Sequence, residues 1–144
     1  MKTKFAFLFI MLLGMSSFAQ IITPIKPANP NAPEFKFETE TIDYGKIRPG
    51  STGVREFKFT NVGKEPLTIS SVMGSCSCVV PEWPKIPVQP GASAVIKVKY
   101  DTSLPGPFKK TLVVTSNASR TRIILTIKGE LPGPPDPPLA PGQH

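Results

Sequence analysis

Ile96-Lys97-Val98-Lys99-Tyr100 decides the fold. Apolar side chains at every second position, with lysines between them, describe a strand that has one dry face and one wet face. The same period runs outward through the chain in Phe35 and Phe37, in Leu67 and Ile69, in Leu112 and Val114, and in Ile123, Leu125 and Ile127. Val54, Phe57 and Phe59 fit it only around an expected irregularity. Turn chemistry separates these runs at Arg48-Pro49-Gly50, Asn61-Val62-Gly63-Lys64, Gln89-Pro90-Gly91, Leu104-Pro105-Gly106-Pro107 and Ser116-Asn117-Ala118-Ser119. Each breaker fixes φ or tolerates a left-handed residue, so helices have little room. About seven short strands at this spacing predict an all-β, two-sheet antiparallel sandwich of immunoglobulin type, with an open barrel as the alternative.

The expected core is Phe57, Phe59, Leu67, Ile69, Ile96, Val98, Leu112, Val114, Leu125 and Ile127. Cys76 and Cys78 sit two residues apart and cannot staple one sheet to the other, so this core must hold by packing alone. The Pro-rich run from Pro81 to Pro90 is expected to cross between the sheets.

Composition divides the chain further. Lys2 and Lys4 precede an apolar run from Phe5 to Met15 and then Ser17-Phe18-Ala19, which reads as a cleaved signal peptide over residues 1–19. That run is well short of the roughly 20 residues that span a bilayer, so no membrane span is expected. Residues 20–33 carry Pro24, Pro27, Pro30 and Pro33 and read as a Pro-rich extended linker. Residues 34–131 form the domain, and residues 132–144 read as a Pro-rich disordered tail. Loss of Lys2 and Lys4 with the leader takes the net charge from +7 to +5. The bases Lys36, Lys58, Lys97, Lys99, Arg120 and Arg122 are scattered as on the wet faces of strands. Export argues against a nucleic-acid partner and places the product in the periplasm or outside the cell, where paired cysteines oxidise. The expected partner is another envelope protein or an envelope polymer.

The ordered motifs Asp43-Tyr44-Gly45-Lys46-Ile47, Phe57-Lys58-Phe59-Thr60-Asn61-Val62-Gly63, Pro66-Leu67-Thr68-Ile69, Ser75-Cys76-Ser77-Cys78, Tyr100-Asp101-Thr102 and Lys128-Gly129-Glu130 resemble a family of exported bacterial domains of unknown function. These are similar to the Hydin-type and abnormal-spindle-type immunoglobulin-like domains. The resemblance implies a Greek-key β-sandwich and brings no catalytic activity, substrate or cofactor with it. The family often has glycine between the cysteines where this chain has Ser77, which questions any turn there that needs positive φ.

Site-specific chemistry is expected in Ser75–Pro90, which holds both cysteines and the single tryptophan. On an extended strand, residues i and i+2 lie roughly 6.6 Å apart, the outer limit for a disulfide, so a Cys76–Cys78 bond requires a bulge or turn at Ser77. Such a bond suits a redox role. Two quiet half-buried thiols, an intermolecular disulfide, or a soft-metal site of Met73, Cys76 and Cys78 favouring Cu(I) are the other readings. A zinc set is incomplete, since the single histidine is His144 at the end of the tail. Trp83 is a candidate binding-loop residue in Pro81-Glu82-Trp83-Pro84, although packing inward is the stronger reading. Asn117-Ala118-Ser119 fits a sequon, but the same residues suit a turn.

No enzyme is expected: a general-base histidine and a glycine-rich phosphate loop are both missing, and no catalytic residue, cofactor or metal is assigned. The function expected is a non-catalytic module for protein recognition or assembly at the bacterial envelope, offering strand edges to a partner. The alternative is a thiol-redox or copper-handling protein centred on Cys76 and Cys78.

Overall fold

Period-two alternation carries directly into the architecture of the computed structural model, which describes residues 28–133. Eight strands follow in order: β1 (Phe35–Phe37), β2 (Thr41–Lys46), β3 (Val54–Asn61), β4 (Ile69–Gly74), β5 (Val79–Glu82), β6 (Ser93–Tyr100), β7 (Gly106–Ser116) and β8 (Arg122–Leu131). One sheet has the order β1-β3-β6-β5 and the other β2-β8-β7-β4. All neighbours run antiparallel except β2 and β8, which are parallel.

The inward faces of the two sheets make the core. All ten expected core residues are buried, joined by Phe35, Tyr44, Val72, Val79, Val88, Tyr100, Phe108, Ile123 and Leu131. Each fully buried Leu, Ile, Val or Phe is worth about 1.5–3 kcal/mol, which is how a sandwich without an inter-sheet disulfide is held. The outer face of the first sheet is charged, with Lys36, Lys58, Lys97, Lys99, Glu56 and Glu82 alternating with the core residues. Its Glu56–Lys97 pair, at 3.9 Å and half exposed, adds little.

Two expectations need correction. β3 has no irregularity: its register with β6 runs unbroken from Val54 to Thr60, and Val54 simply belongs to the outer face, 41% exposed. The crossover between sheets is not Pro81–Pro90 but the four residues Ser75 to Cys78, which lead from β4 in one sheet to β5 in the other. Residues 81–90 instead finish β5 and loop back within its sheet, anchored where Leu67 and Val88 exchange backbone hydrogen bonds of 2.9 and 2.8 Å. Of the residues expected as linker, Asn29, Asn31 and Pro33 are hydrogen-bonded to the domain. Asn29 Nδ2 donates to Glu65 Oε1 at 3.1 Å, Lys64 N to Asn31 O at 3.3 Å and Ser119 N to Pro33 O at 2.9 Å. The expected sandwich of about seven strands is observed with eight, since Val79–Glu82 pairs with β6 in spite of Pro81. The expected signal peptide at residues 1–19, residues 20–27 of the expected linker and residues 134–144 of the expected tail lie outside the described residues.

Tyr44 closes one end of the core. Its ring meets Phe108 and Tyr100 edge-on, those two rings stack at 3.9 Å, and the Arg55 guanidinium lies 4.4 Å above the Tyr44 ring. The phenol donates to Gly53 O at 2.8 Å. Burial pushes the Tyr44 phenol up to about 12, against the opposing pull of Arg55. Tyr100 is also raised, first by burial and then by Asp101. A folded pKa above the unfolded value near 10 means a contribution that is complete below about pH 10 and is lost as pH rises through about 12. Alkaline urea titrations should therefore show stability falling by roughly 2–3 kcal/mol across that window on account of Tyr44. In Tyr44→Phe that fall should shrink, leaving the Tyr100 part.

Candidate functional site

The crossover turn holds the two cysteines. Cys76 and Cys78 are joined by a disulfide with their Cα atoms 5.2 Å apart, inside the range that an extended strand would overrun. A turn makes the difference: Val79 N donates to Cys76 O at 3.2 Å. Ser75 N donates to Thr111 O at 2.8 Å on one side, and Asp101 N donates to Cys78 O at 2.9 Å on the other. No non-glycine residue in the described chain has positive φ, so serine between the cysteines meets the turn's demand without strain. A bridge across so short a loop restrains the unfolded chain by only about 1.5 kcal/mol, against about 4.7 for a loop of 100 residues.

Cys78 and Ser77 border an open hollow of about 820 Å³, shared with Gly50 to Val54, Val80 and Lys99 to Thr102. The carboxyl of Asp101 is held below its ordinary range, first by hydrogen bonds from Ser103 Oγ and N at 2.6 and 3.0 Å and then by Lys99. Both cysteines pack their inner sides against the core. Met73 is placed elsewhere. It is 68% exposed on the outer face of β4, opposite in parity to buried Val72, so the three sulfurs do not converge on one face. Among the described residues no group of three or more His, Cys, Asp or Glu side chains stands together, and His144 lies outside them. Trp83 packs partly against the core, with Lys85 Nζ 3.1 Å above its ring centre. Asn117 serves its turn: it accepts from Thr68 N at 2.8 Å and donates to Pro66 O at 3.1 Å.

The four sheet edges differ in a way that the sequence did not signal. β1 is three residues long. β2 is bulged between Asp43 and Lys46, turns on Gly45 at φ 63°, and carries the Asp43–Lys128 ion pair. β5 offers no free N–H along its strand. The Asp101–Cys78 bond makes Val80 and Glu82 the residues bonded to β6, so Val79 and Pro81 face outward. Val79 N–H is used by the turn and proline has none. Shortness, bulges, charge and proline are the ordinary means by which edges are blunted.

β4 has the least of these protections, a bulge at its start and nothing further along. Ile69-Ser70-Ser71-Val72-Met73-Gly74 contains no charge and no proline, with a single irregularity between Ile69 and Ser71. The Ser75–Thr111 bond fixes the ladder's phase, so Met73 bonds to β7 while Val72 and Gly74 turn their backbone N–H and C=O to the open side. On the outer face beside this edge, Met73, Val113 and Ile124 form a row across three strands, with Met73 and Ile124 68% and 60% exposed. Thr111 and Thr115 flank Val113 on β7, so the edge and the stretch of β7 that pairs with it, Leu112 to Ser116, are uncharged, with Lys109 and Lys110 further along β7 beyond the paired stretch.

Two four-stranded sheets, joined edge to edge by a short crossover, make an immunoglobulin-like β-sandwich whose fold is like that of PapD/ASH-type domains. The chain belongs to the family described as Protein of unknown function (DUF1573), which it matches over residues 35–131. No curated protein matches it. It is similar to a protein of unknown function from Porphyromonas gingivalis W83 at 18% identity and a TM-score of 0.65. That match covers 76% of this chain and 51% of the other, so the chain spans about half the length of that relative. It is similar to the ASH/PapD-like domain 7 of human CEP192 at 9% identity and a TM-score of 0.59, covering 80% of this chain and 95% of that one. A third likeness is to the CsuC–CsuE chaperone–tip adhesion subunit pre-assembly complex of the archaic chaperone-usher Csu pili of Acinetobacter baumannii. There the identity is 13% and the TM-score 0.51, over 67% of this chain and 56% of the other. At these identities the likeness is one of fold.

Proposed function

We propose that this chain is an exported, non-catalytic immunoglobulin-like module that binds another envelope protein by strand addition to β4. The observation that carries the reading is the contrast among the edges: three are blunted and β4 is left open, uncharged and flanked by an exposed apolar row. Free backbone groups at Val72 and Gly74 supply the ladder, and the Met73–Val113–Ile124 row supplies a place for apolar side chains on one side of the added strand. The partner chemistry that fits is an extended, uncharged segment with apolar residues at alternate positions. An anionic polymer would be drawn to the lysine-lined sheet instead. Export rests on the leader at residues 1–19, which places module and partner in the periplasm or outside the cell. Absence of catalysis is supported by acidic side chains engaged at the surface, such as Glu40 with Arg120 at 2.9 Å and Asp43 with Lys128 at 3.8 Å.

Charge on the edge tests this. Ser71→Lys with Met73→Lys alters outer-face positions and should leave thermal stability within about 0.5 kcal/mol of wild type. Wild type should migrate in native envelope extracts as a species larger than the free chain, and the double variant as the free chain. Glu82→Lys on β5 should behave as wild type. Retention of the larger species by the double variant would refute binding at β4.

A further inference from the structure

We infer that the Cys76–Cys78 disulfide is an exchange site, with Cys78 the sulfur that an incoming thiol reaches. The inference stands apart from strand addition at β4. A bond between residues two apart in a four-residue crossover ties together nothing that the fold has not already joined. The turn is held by backbone hydrogen bonds from Val79 to Cys76, from Ser75 to Thr111 and from Asp101 to Cys78, none of which involves sulfur. Opening the disulfide therefore leaves the two sulfurs beside each other on the same turn. A reversible dithiol needs that arrangement, whereas a structural staple does not. Both cysteines are half-buried, and the two differ in surroundings: Cys78 borders the hollow of about 820 Å³ with Val80, Tyr100 and Asp101, while Cys76 is not among its lining residues. The hollow is open and partly apolar, as a cysteine-bearing protein segment requires.

In the exchange, a partner thiolate attacks Cys78 Sγ. The new bond joins the partner sulfur to Cys78, the Cys76–Cys78 bond breaks, and Cys76 leaves as a thiolate that takes a proton from water. Where the partner has a second thiolate, it attacks its own first sulfur and expels Cys78 as a thiolate. Two electrons have then passed from the partner dithiol to this disulfide, leaving an oxidised partner and a reduced Cys76/Cys78 pair. The substrate class is a protein dithiol.

Glutathione serves as the probe. Protein isolated from an oxidising compartment should carry the intramolecular bond by intact mass. Incubation with reduced glutathione should open it reversibly with an unchanged circular-dichroism spectrum, and the mixed disulfide trapped by acid should map to Cys78. With oxidised glutathione, the reduced Cys76→Ser variant should be modified roughly tenfold faster than the reduced Cys78→Ser variant, because access governs the rate. Any of four results overturns the inference: free thiols in the isolated protein, a bond that glutathione leaves intact, loss of fold on reduction, or modification at Cys76 as fast as at Cys78. The mapping on wild type decides the matter even where a serine variant fails to fold.

Discussion

Asn61→Asp should lose about 4–6 kcal/mol of stability at neutral pH and regain part of it near about pH 4, a reversal of the ordinary acid response of proteins. Asn61 is fully buried and uses its whole amide. Its Nδ2 donates to Glu65 O at 2.8 Å and to Val88 O at 3.0 Å, while Oδ1 accepts from Gly63 N at 3.0 Å and Glu34 N at 3.3 Å. One side chain thus ties together the approach to β1, the β3–β4 turn and the loop that returns from β5. Its backbone adds bonds from Asn61 N to Ala92 O and from Gly91 N to Asn61 O. A carboxylate has no proton for the two carbonyls and sets a buried charge against their oxygens. Burial and carbonyl repulsion raise its folded pKa above the unfolded value near 3.9, so stability falls as pH rises through that value. Each buried group left unpaired costs about 1–3 kcal/mol, which gives an expected loss of about 4–6 kcal/mol from a total of about 5–15. Asn61→Ala, with no charge, should lose about 3–4 kcal/mol with no such pH dependence. Urea midpoints for both variants at two pH values check this. Equal stability of Asn61→Asp and wild type at neutral pH would overturn it.

The second large effect is expected at Gly53, where the reason is contact and not backbone conformation. A Cβ there would overlap the carbonyl oxygen of Tyr100 and press on the methyl of Thr102 at 3.0 Å. The strands cannot spread to admit it, because Gly53 O accepts from Tyr100 N at 3.0 Å and from the Tyr44 hydroxyl at 2.8 Å. Gly53→Ala should therefore cost about 3–5 kcal/mol, combining overpacking with two weakened hydrogen bonds. Gly50 provides the control: it has φ 76° but open space around its Cβ direction. Gly50→Ala should cost only about 1–2 kcal/mol, the penalty of a left-handed alanine. A Gly50 variant less stable than the Gly53 variant would contradict this ordering.

What was legible in the sequence was what depends on local periodicity. All ten named core residues are buried, and Pro49-Gly50 and Pro90-Gly91 turn where expected, with φ 76° at Gly50 and 80° at Gly91. What was not legible depends on which strands meet. Asn61 reads as a turn residue because Asn-Val-Gly suits a turn, yet it is the last inward position of β3, and its partners lie up to 27 residues away. Pro81 and Glu82 read as the start of the Pro-rich crossover Pro81–Pro90, yet they finish strand β5; at a sheet edge, where its missing N–H would point away from β6, a proline is tolerated. The β4 edge carries no motif at all. Its signal is a lack of charge, and a lack of charge on six residues means nothing until the neighbouring strand and the other three edges are known. The cysteine pair was legible as a turn requirement, since extended geometry alone demanded one.

Binding of a partner through the β4 edge is open to a photo-crosslinking scan in intact cells. A photoreactive residue is placed in turn at Ser71 and Met73 on β4, at Lys36 on β1, at Asp43 on β2 and at Glu82 on β5. A discrete adduct of one mass is expected from positions 71 and 73, lost when the other of the two positions is changed to lysine, with no adduct of that mass from the other three edges. Adducts of equal yield from all four edges, or none from β4, would contradict it.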